Sequence, residues 1–325
     1  MVNLEITLRA LKENGISGSS DNPKKLSLFN DFNHAIELYG NDDNVSGITI
    51  AKEENSDELN VLVHSPNPEI LKNIGFKVVK REYTIQEEGS DLIDSKVESI
   101  TLAQCNRRIK QALKPGISIG DSSSTGTLGM IVKTRMVRTG KLVKALLTCD
   151  HVLNDDPVIQ PGFADGGDEK KNMVATLLQE KRIFDERGDI VLAKLNSDIK
   201  YDLGICGENR LRFKDKRFVK IGEAVKKSGR TTNISRLKVN EIGVFYINYG
   251  NRKYKFNAFS LIRGEGETLP NIYASMDSGS VVYAESSRSG MATAAGVLFA
   301  IEKNTKHGIA CHITPIFEDL EIDFI

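Results

Sequence analysis

Ala274-Ser275-Met276-Asp277-Ser278-Gly279-Ser280-Val281-Val282 decides how this chain is read. An Asp-Ser-Gly tripeptide entering an apolar strand sets a serine on a tight turn. Gly279 lets the backbone bend around Ser278. Backbone N–H groups beside such a serine can face a developing oxyanion. The same tripeptide also makes ordinary turns, so its meaning depends on what stands upstream.

Two upstream segments complete a constellation. Lys144-Ala145-Leu146-Leu147-Thr148-Cys149-Asp150-His151 is an apolar strand that ends by presenting one of only five histidines. Asp185-Glu186-Arg187-Gly188-Asp189-Ile190-Val191-Leu192 opens a second strand with a glycine and an aspartate. A serine hydroxyl is a weak nucleophile at neutral pH and needs a neutral imidazole to take its proton. A buried carboxylate must hold that imidazole in one tautomer and stabilise the imidazolium that forms. The expected roles are therefore His151 as base, Asp189 as orienter and Ser278 as nucleophile. Asp150 is a rival to Asp189, but in an extended strand its side chain points away from that of His151. Asp185 is a second rival, several residues before the strand. The order His, Asp, Ser is that of the chymotrypsin-type fold rather than of subtilisins or α/β-hydrolases.

These segments resemble the trypsin-like peptidases grouped with the plant narrow-leaf protein and its bacterial relatives. The likeness runs through Thr125-Gly126-Thr127-Leu128-Gly129, Ile159-Gln160-Pro161-Gly162 with Asp165-Gly166-Gly167, and Val174-Ala175-Thr176-Leu177. It continues through Lys227-Ser228-Gly229-Arg230-Thr231-Thr232, the Ser278 segment and Ala295-Gly296-Val297-Leu298-Phe299-Ala300. It implies two packed six-stranded β-barrels, serine endopeptidase activity, and an oxyanion hole formed by backbone N–H groups of Met276, Asp277 and Ser278. Met276 stands where the family carries glycine. Its Cβ is expected to disfavour the productive peptide orientation, leaving an enzyme that is slow, conditional or silent. Asn233 replaces another family glycine, a milder change because Asn tolerates the left-handed region. The resemblance also places Ile272 and Tyr273 at the base of the first specificity pocket and Phe299, Ala300 and Ile301 on its wall. No acidic residue is among them, which implies a shallow pocket for an apolar residue.

Composition bounds the partners. The 325 residues carry 44 basic and 44 acidic side chains, giving no net charge at pH 7. That balance argues against a nucleic-acid or membrane footprint. The four cysteines are scattered, with neither metal spacing nor a disulfide framework. The N-terminus lacks the pattern of a signal peptide, and no apolar run reaches membrane-spanning length. A reduced, cytoplasmic protein acting on a peptide or protein, with no cofactor and no metal, is the expectation.

The fold class expected is mainly β: a small α/β domain over residues 1–95, then a double-barrel protease domain over 96–325. Leu4 to Asn14 and Leu26 to Leu38 read as amphipathic helices, and Val45 to Ala51 and Glu58 to His64 as strands. Pro68 to Ile74 reads as a short helix and Phe76 to Gln86 as a strand. Glu87 to Ser99 reads as a linker and Asn106 to Lys114 as a basic helix. The first region is a candidate regulatory or partner-binding module. His307, Cys311 and His312 fit no standard ligand set and read as structural. Arg230 reads as fixing a barrel strand, and Asp165-Gly166-Gly167 as a turn. Two classes remain open: a serine endopeptidase, and a protease-fold module that binds a peptide without cutting it.

Overall fold

The computed structural model describes residues 4–53, 58–71, 75–85, 112–208, 211–266, 276–285 and 290–325. The linker and most of the basic helix read from the sequence, and the boundary near residue 95, lie outside them.

The chain opens with helices α1 (Glu5–Glu13) and α2 (Pro23–Tyr39). The second starts three residues before the expected Leu26. Asn22 caps it, its side-chain oxygen accepting from the N–H groups of Lys24 (3.0 Å) and Lys25 (3.4 Å), and Pro23 fills the first helical position. A proline there loses nothing, because that N–H has no partner inside the helix. Strands β1 (Gly47–Lys52) and β2 (Leu59–Ser65) follow as read. The expected helix at Pro68 is one turn of 3-10 helix, Pro68–Leu71. The single strand expected over Phe76 to Gln86 is two, β3 (Lys77–Lys80) and β4 (Tyr83–Thr84). The first runs parallel to β2, while the second wedges between strands of the larger sheet, where the Tyr83 ring packs edge-on against Phe245.

A short pair, β5 (Ser118–Ile119) and β6 (Gly126–Thr127), precedes the first large sheet. That sheet contains β7 (Met130–Arg135), β8 (Leu142–Thr148), β9 (Val158–Ile159), β10 (Met173–Asp185) and β11 (Gly188–Leu195). Its sixth strand, β19 (Ile322–Phe324), returns from the far end of the chain to pair with β7. The second sheet contains β12 (Arg212–Lys216), β13 (Ala224–Gly229), β14 (Asn233–Tyr249), β15 (Arg252–Arg263), β16 (Val281–Glu285), β17 (Met291–Glu302) and β18 (Gly308–His312). In the order β13-β16-β17-β18-β15-β14, with β13 also paired to β14, six strands close into a barrel. Closure removes the unpaired edges that an open sheet exposes. Helix α3 (Ile313–Asp319) links β18 to β19. The architecture is mainly β, with six strands in the first sheet and a six-stranded ring in the second.

The N-terminal strands are not isolated from this ring. β1 pairs antiparallel with β14, so β1, β2 and β3 continue the second sheet. Ile6, Leu11 and Phe32 of the two helices share one hydrophobic core with Val225, Leu261, Val282 and Leu298 of the ring. A second core fills the first sheet and reaches Tyr283, Phe299 and Phe256 on the ring's other face.

His64 and His312 are buried in or beside these cores, and His307 is partly buried. His312 lies between the rings of Phe218 and Phe259, and neither of its nitrogens has a hydrogen-bond partner among the described residues. Burial pushes His312 down to about 3. Burial and the nearby Arg81 charge push His64 to about 3 and His307 to about 4. Unfolded histidine titrates near ~6.5. Below that pH the unfolded chain therefore binds protons that the native histidines refuse, and stability is lost as pH falls. Glu241 acts oppositely: burial lifts it to about 7, so the native state holds one extra proton between that value and the ordinary carboxylate range. Three histidines against one carboxyl leave a net difference of roughly two protons, or about 3 kcal/mol per pH unit. Urea unfolding should therefore lose about 3 kcal/mol between pH 6 and pH 5, and His312→Leu should remove about one proton of that slope. A stability that is flat over this interval rules the account out.

Candidate active site

The His151 segment is set at the end of β8, where Asp150–Val152 form one 3-10 turn rather than extended strand. The turn aims His151 at β11. Its Nδ1 is hydrogen-bonded to Asp189 Oδ2, and its backbone N–H donates to Asp189 Oδ1 at 3.1 Å. Asp189 is fully buried and the His151 side chain is 8% exposed. Both carboxylate oxygens thus hold the same residue, one fixing the ring and the other its backbone. The two rivals are engaged elsewhere. Asp150 accepts from Arg182 Nε, and Asp185 accepts from the guanidinium and backbone N–H of Arg187.

Ser278 comes from the other sheet. Its carbonyl accepts from Thr127 N–H at 2.9 Å. The next residue, Gly279, donates to Leu298 O at 2.9 Å, and that same carbonyl accepts the Cys149 thiol at 3.3 Å. One carbonyl therefore joins the neighbour of Ser278 to a residue two before His151. Gly126 lies in the same contact: a Cβ there would meet the Val152 side chain at 2.6 Å and Ser278 O at 3.1 Å. Gly279 has φ +93°, and a Cβ on it would strike Thr148 Oγ1 at 2.2 Å. Only glycine fits there.

The residue before Ser278 carries the densest polar cluster of the site. The Asp277 carboxylate is fully buried. Its Oδ2 accepts from Lys227 Nζ at 2.8 Å and Thr232 Oγ1 at 2.6 Å; its Oδ1 accepts from the N–H groups of Thr231 (2.9 Å) and Thr232 (3.3 Å). Burial alone would raise this carboxyl, but the Lys227 charge and these donors outweigh it and hold it below its ordinary range. Sequence reading took Lys227 only as part of a motif. A lysine among strand residues ordinarily faces solvent; the signal available was the run of threonines that follows it.

Met276 has φ +72° and Asn233 φ +57°, both in the left-handed region. The Met276 carbonyl accepts from Thr127 Oγ1 at 2.9 Å. Methionine is thus held in the backbone region that favours glycine. Arg230 makes a two-pronged ion pair with Asp165, both nearly buried, tying the β13–β14 corner to the Asp-Gly-Gly turn of the other sheet.

The expected pocket wall is placed differently. Phe299 and Ala300 have no exposed surface and Ile301 is 3% exposed. Phe299 packs on Phe256 with centroids 4.8 Å apart, inside the core between the sheets. Phe299 and Ala300 thus belong to the core between the sheets and Ile301 to the core shared with the N-terminal helices, so none of the three is exposed on an open cleft. Ile272 and Tyr273 lie outside the described residues. Tyr249, at the tip of the β14–β15 hairpin, was not anticipated; its ring centroid stands 6.3 Å from that of His151. Cys149, His151 and Asp189 are the one trio of potential metal ligands among the described residues, their ligand atoms lying within 4.8 Å of one another. Asp189 already spends both oxygens on His151. Burial, followed by the Asp189 charge, raises the Cys149 thiol well above its ordinary range, so a thiolate is disfavoured there.

No family model matches the chain, and no curated protein matches it. Solved structures similar to it include chymotrypsin-fold serine proteases. A glutamic acid specific serine protease is 16% identical, with a TM-score of 0.47, over 66% of this chain and 100% of that one. Thermobifida fusca Protease A is 13% identical, with a TM-score of 0.47, over 66% and 98% of the two chains. A Cellulomonas bogoriensis chymotrypsin is 12% identical, with a TM-score of 0.45, over 66% and 99%.

Proposed function

We propose that this chain is a serine endopeptidase of the trypsin-like kind that its motifs resemble, using His151, Asp189 and Ser278. The single observation that carries the reading is the pair of hydrogen bonds from His151 to a fully buried Asp189 carboxylate. With Nδ1 engaged there, Nε2 is the nitrogen left to take the Ser278 proton. Ser278 Oγ then bonds to the substrate carbonyl carbon, whose oxygen becomes an oxyanion faced by backbone N–H groups of the 276–278 turn. Collapse of that adduct breaks the peptide bond, and His151 returns the proton to the departing amine. Water repeats the sequence on the acyl-enzyme and releases Ser278. Asp189 stabilises the imidazolium without itself taking the proton. Asp277 is a positioning residue: its carboxylate anchors the turn from which Ser278 and the oxyanion donors project. The substrate class is peptide or protein, no cofactor enters the chemistry, and the N-terminal region is a regulatory element.

The decisive experiment is labelling with a fluorophosphonate. Ser278 should be modified and no other serine, and Ser278→Ala and His151→Ala should each abolish the adduct. Labelling that survives both changes removes the assignment. A folded protein that binds peptide but is never labelled would leave the non-cutting module in its place.

Lys227→Met should destabilise the chain by roughly 3–5 kcal/mol, because it strands a buried carboxylate. The native Asp277 carboxyl is depressed, so its stabilising contribution is present above the unfolded value and lost as pH falls through the native one. In the variant the carboxyl is raised instead, and the deficit should shrink on acidification. Denaturant titrations at pH 7 and pH 5 measure this; an equal deficit at both would contradict it.

Met276→Gly should relieve a left-handed residue, worth about 1 kcal/mol. Since φ is already positive, turnover should change less than about tenfold, well short of the 10²–10³ that one oxyanion donor is worth. A rate gain of the full donor magnitude would show that methionine keeps the hole disassembled.

A further inference from the structure

The turn that delivers Asp189 is held by the N-terminal helix. Asp189 follows directly on the β10–β11 turn, where Asp185 faces Gly188 and Phe184 faces Asp189. In that turn the Glu186 carbonyl accepts two bonds from one residue of the second sheet: Asn257 N–H at 2.9 Å and Asn257 Nδ2 at 3.1 Å. A carbonyl can only accept, so the amide NH2 of Asn257 must face it. The amide oxygen then faces the other way, toward α1. There it accepts from Thr7 Oγ1 at 2.6 Å, across 250 residues of sequence. Thr7 is fully buried and Asn257 is 1% exposed. The Thr7 hydroxyl also lies 3.2 Å from Gly243 O. A second route is external. Arg9 of α1 pairs with Glu318, and Arg187 pairs with Asp319 one residue along the same helix α3, and with Asp185 in the turn. These groups are more than a third exposed, and exposed pairs are worth little. The buried route is the one able to transmit position.

We propose that Thr7 and Asn257 are positioning residues for the active site, and that docking of α1 sets the place of the Asp189 carboxylate. The inference rests on the reading of Asp189 as the orienting carboxylate. The turn has little freedom to adjust otherwise. Gly188 is packed so closely on Cys311 that a Cβ there would stand 3.1 Å from its sulfur. The apolar residues Ile6, Ala10 and Leu11 hold α1 in the core it shares with the ring. The Thr7 hydroxyl converts that docking into a constraint on Asn257, and Asn257 passes it to the residue three before Asp189. Displacement of the carboxylate releases the imidazole, and misplacement by about 1 Å is enough to lower a rate ~10²-fold. Whatever undocks α1 thereby lowers activity without touching the cleft.

The test uses the full chain with Thr7→Val, which keeps the shape and removes the hydroxyl. Phosphonylation of Ser278 per folded molecule should fall about tenfold, a partial displacement on the scale above. With a peptide substrate, kcat should carry the loss and KM should not move. Thr7→Ser should restore the rate, and Arg9→Ala should change it less than about twofold, as an exposed pair would. A second readout does not need catalysis: the proton on His151 Nδ1, observed by NMR in a Ser278→Ala background, reports the bond to Asp189. Thr7→Val should shift or broaden that resonance, and Thr7→Ser should not. If the unaltered chain is never phosphonylated, the endopeptidase reading fails, while the resonance still decides the coupling. Should Thr7→Val not fold, Thr7→Ala is read in the same way. A variant that melts lower yet keeps both the rate and the resonance would show Thr7 to be structural only and overturn the proposal.

Discussion

The buried Asp277 carboxylate is the interaction on which the rest of this site depends. An ionised carboxyl with no exposed surface is stable only if cations and donors surround it. Lys227, Thr231 and Thr232 supply them; Lys227 lies in β13, and the two threonines in the corner between β13 and β14. The corner therefore cannot move without the turn that bears Ser278. Thr127 extends the constraint to the chain leading into the first sheet. Its hydroxyl donates to the Met276 carbonyl and accepts from Arg230 N–H at 3.0 Å, while its own N–H holds Ser278 O. Arg230 then reaches Asp165. One carboxylate thus fixes where two sheets meet.

That meeting matters because the proposed triad is divided. His151 and Asp189 come from the first sheet and Ser278 from the second. Their alignment is a property of the interface, not of either sheet alone. The Leu298 carbonyl, shared by Gly279 and Cys149, is one point at which that interface is bonded. Gly126 and Gly279 are glycines because any side chain there would force the sheets apart. The strain of Met276 is tolerable for the same reason. A non-glycine residue at positive φ costs about 1–2 kcal/mol, and neighbours held by so many bonds leave its backbone no alternative.

How much of this was legible depends on the range of the interaction that decided each feature. Strands such as β8 and β11 were readable because an apolar run such as Ala145-Leu146-Leu147 or Ile190-Val191-Leu192 is a local signal. So was the pairing of His151 with Asp189, because an imidazole held in one tautomer needs a carboxylate partner. The start of α2 at Pro23 was present in Asn22-Pro23 as a cap, though periodicity alone began it later. The separation of Asp150 from His151 was expected from strand geometry; it comes instead from a one-turn helix and from Arg182, a partner 32 residues away. Lys227 looked like any strand lysine until Asp277 was placed 50 residues on. Phe299 looked like a pocket wall until Phe256 was placed against it. The return of β19 to the first sheet carries no local mark.

The N-terminal region shows the same rule from the other side. Its two helices and first two strands were legible one by one, because each has its own period. Their place was not, because it is set by burial and pairing against residues about two hundred positions later. Ile48 and Ile50 could satisfy any apolar surface; pairing of β1 with β14 chooses which one. Once that edge is taken, α1 lies over the ring, and Thr7 can reach only what β14 and β15 present. Gly243 and Asn257 are what they present, and Asn257 spans the sheet to Glu186. A contact that begins as hydrophobic docking therefore ends as a hydrogen-bonded constraint on the turn before Asp189, which on the proposed reading couples the first residues of the chain to its chemistry.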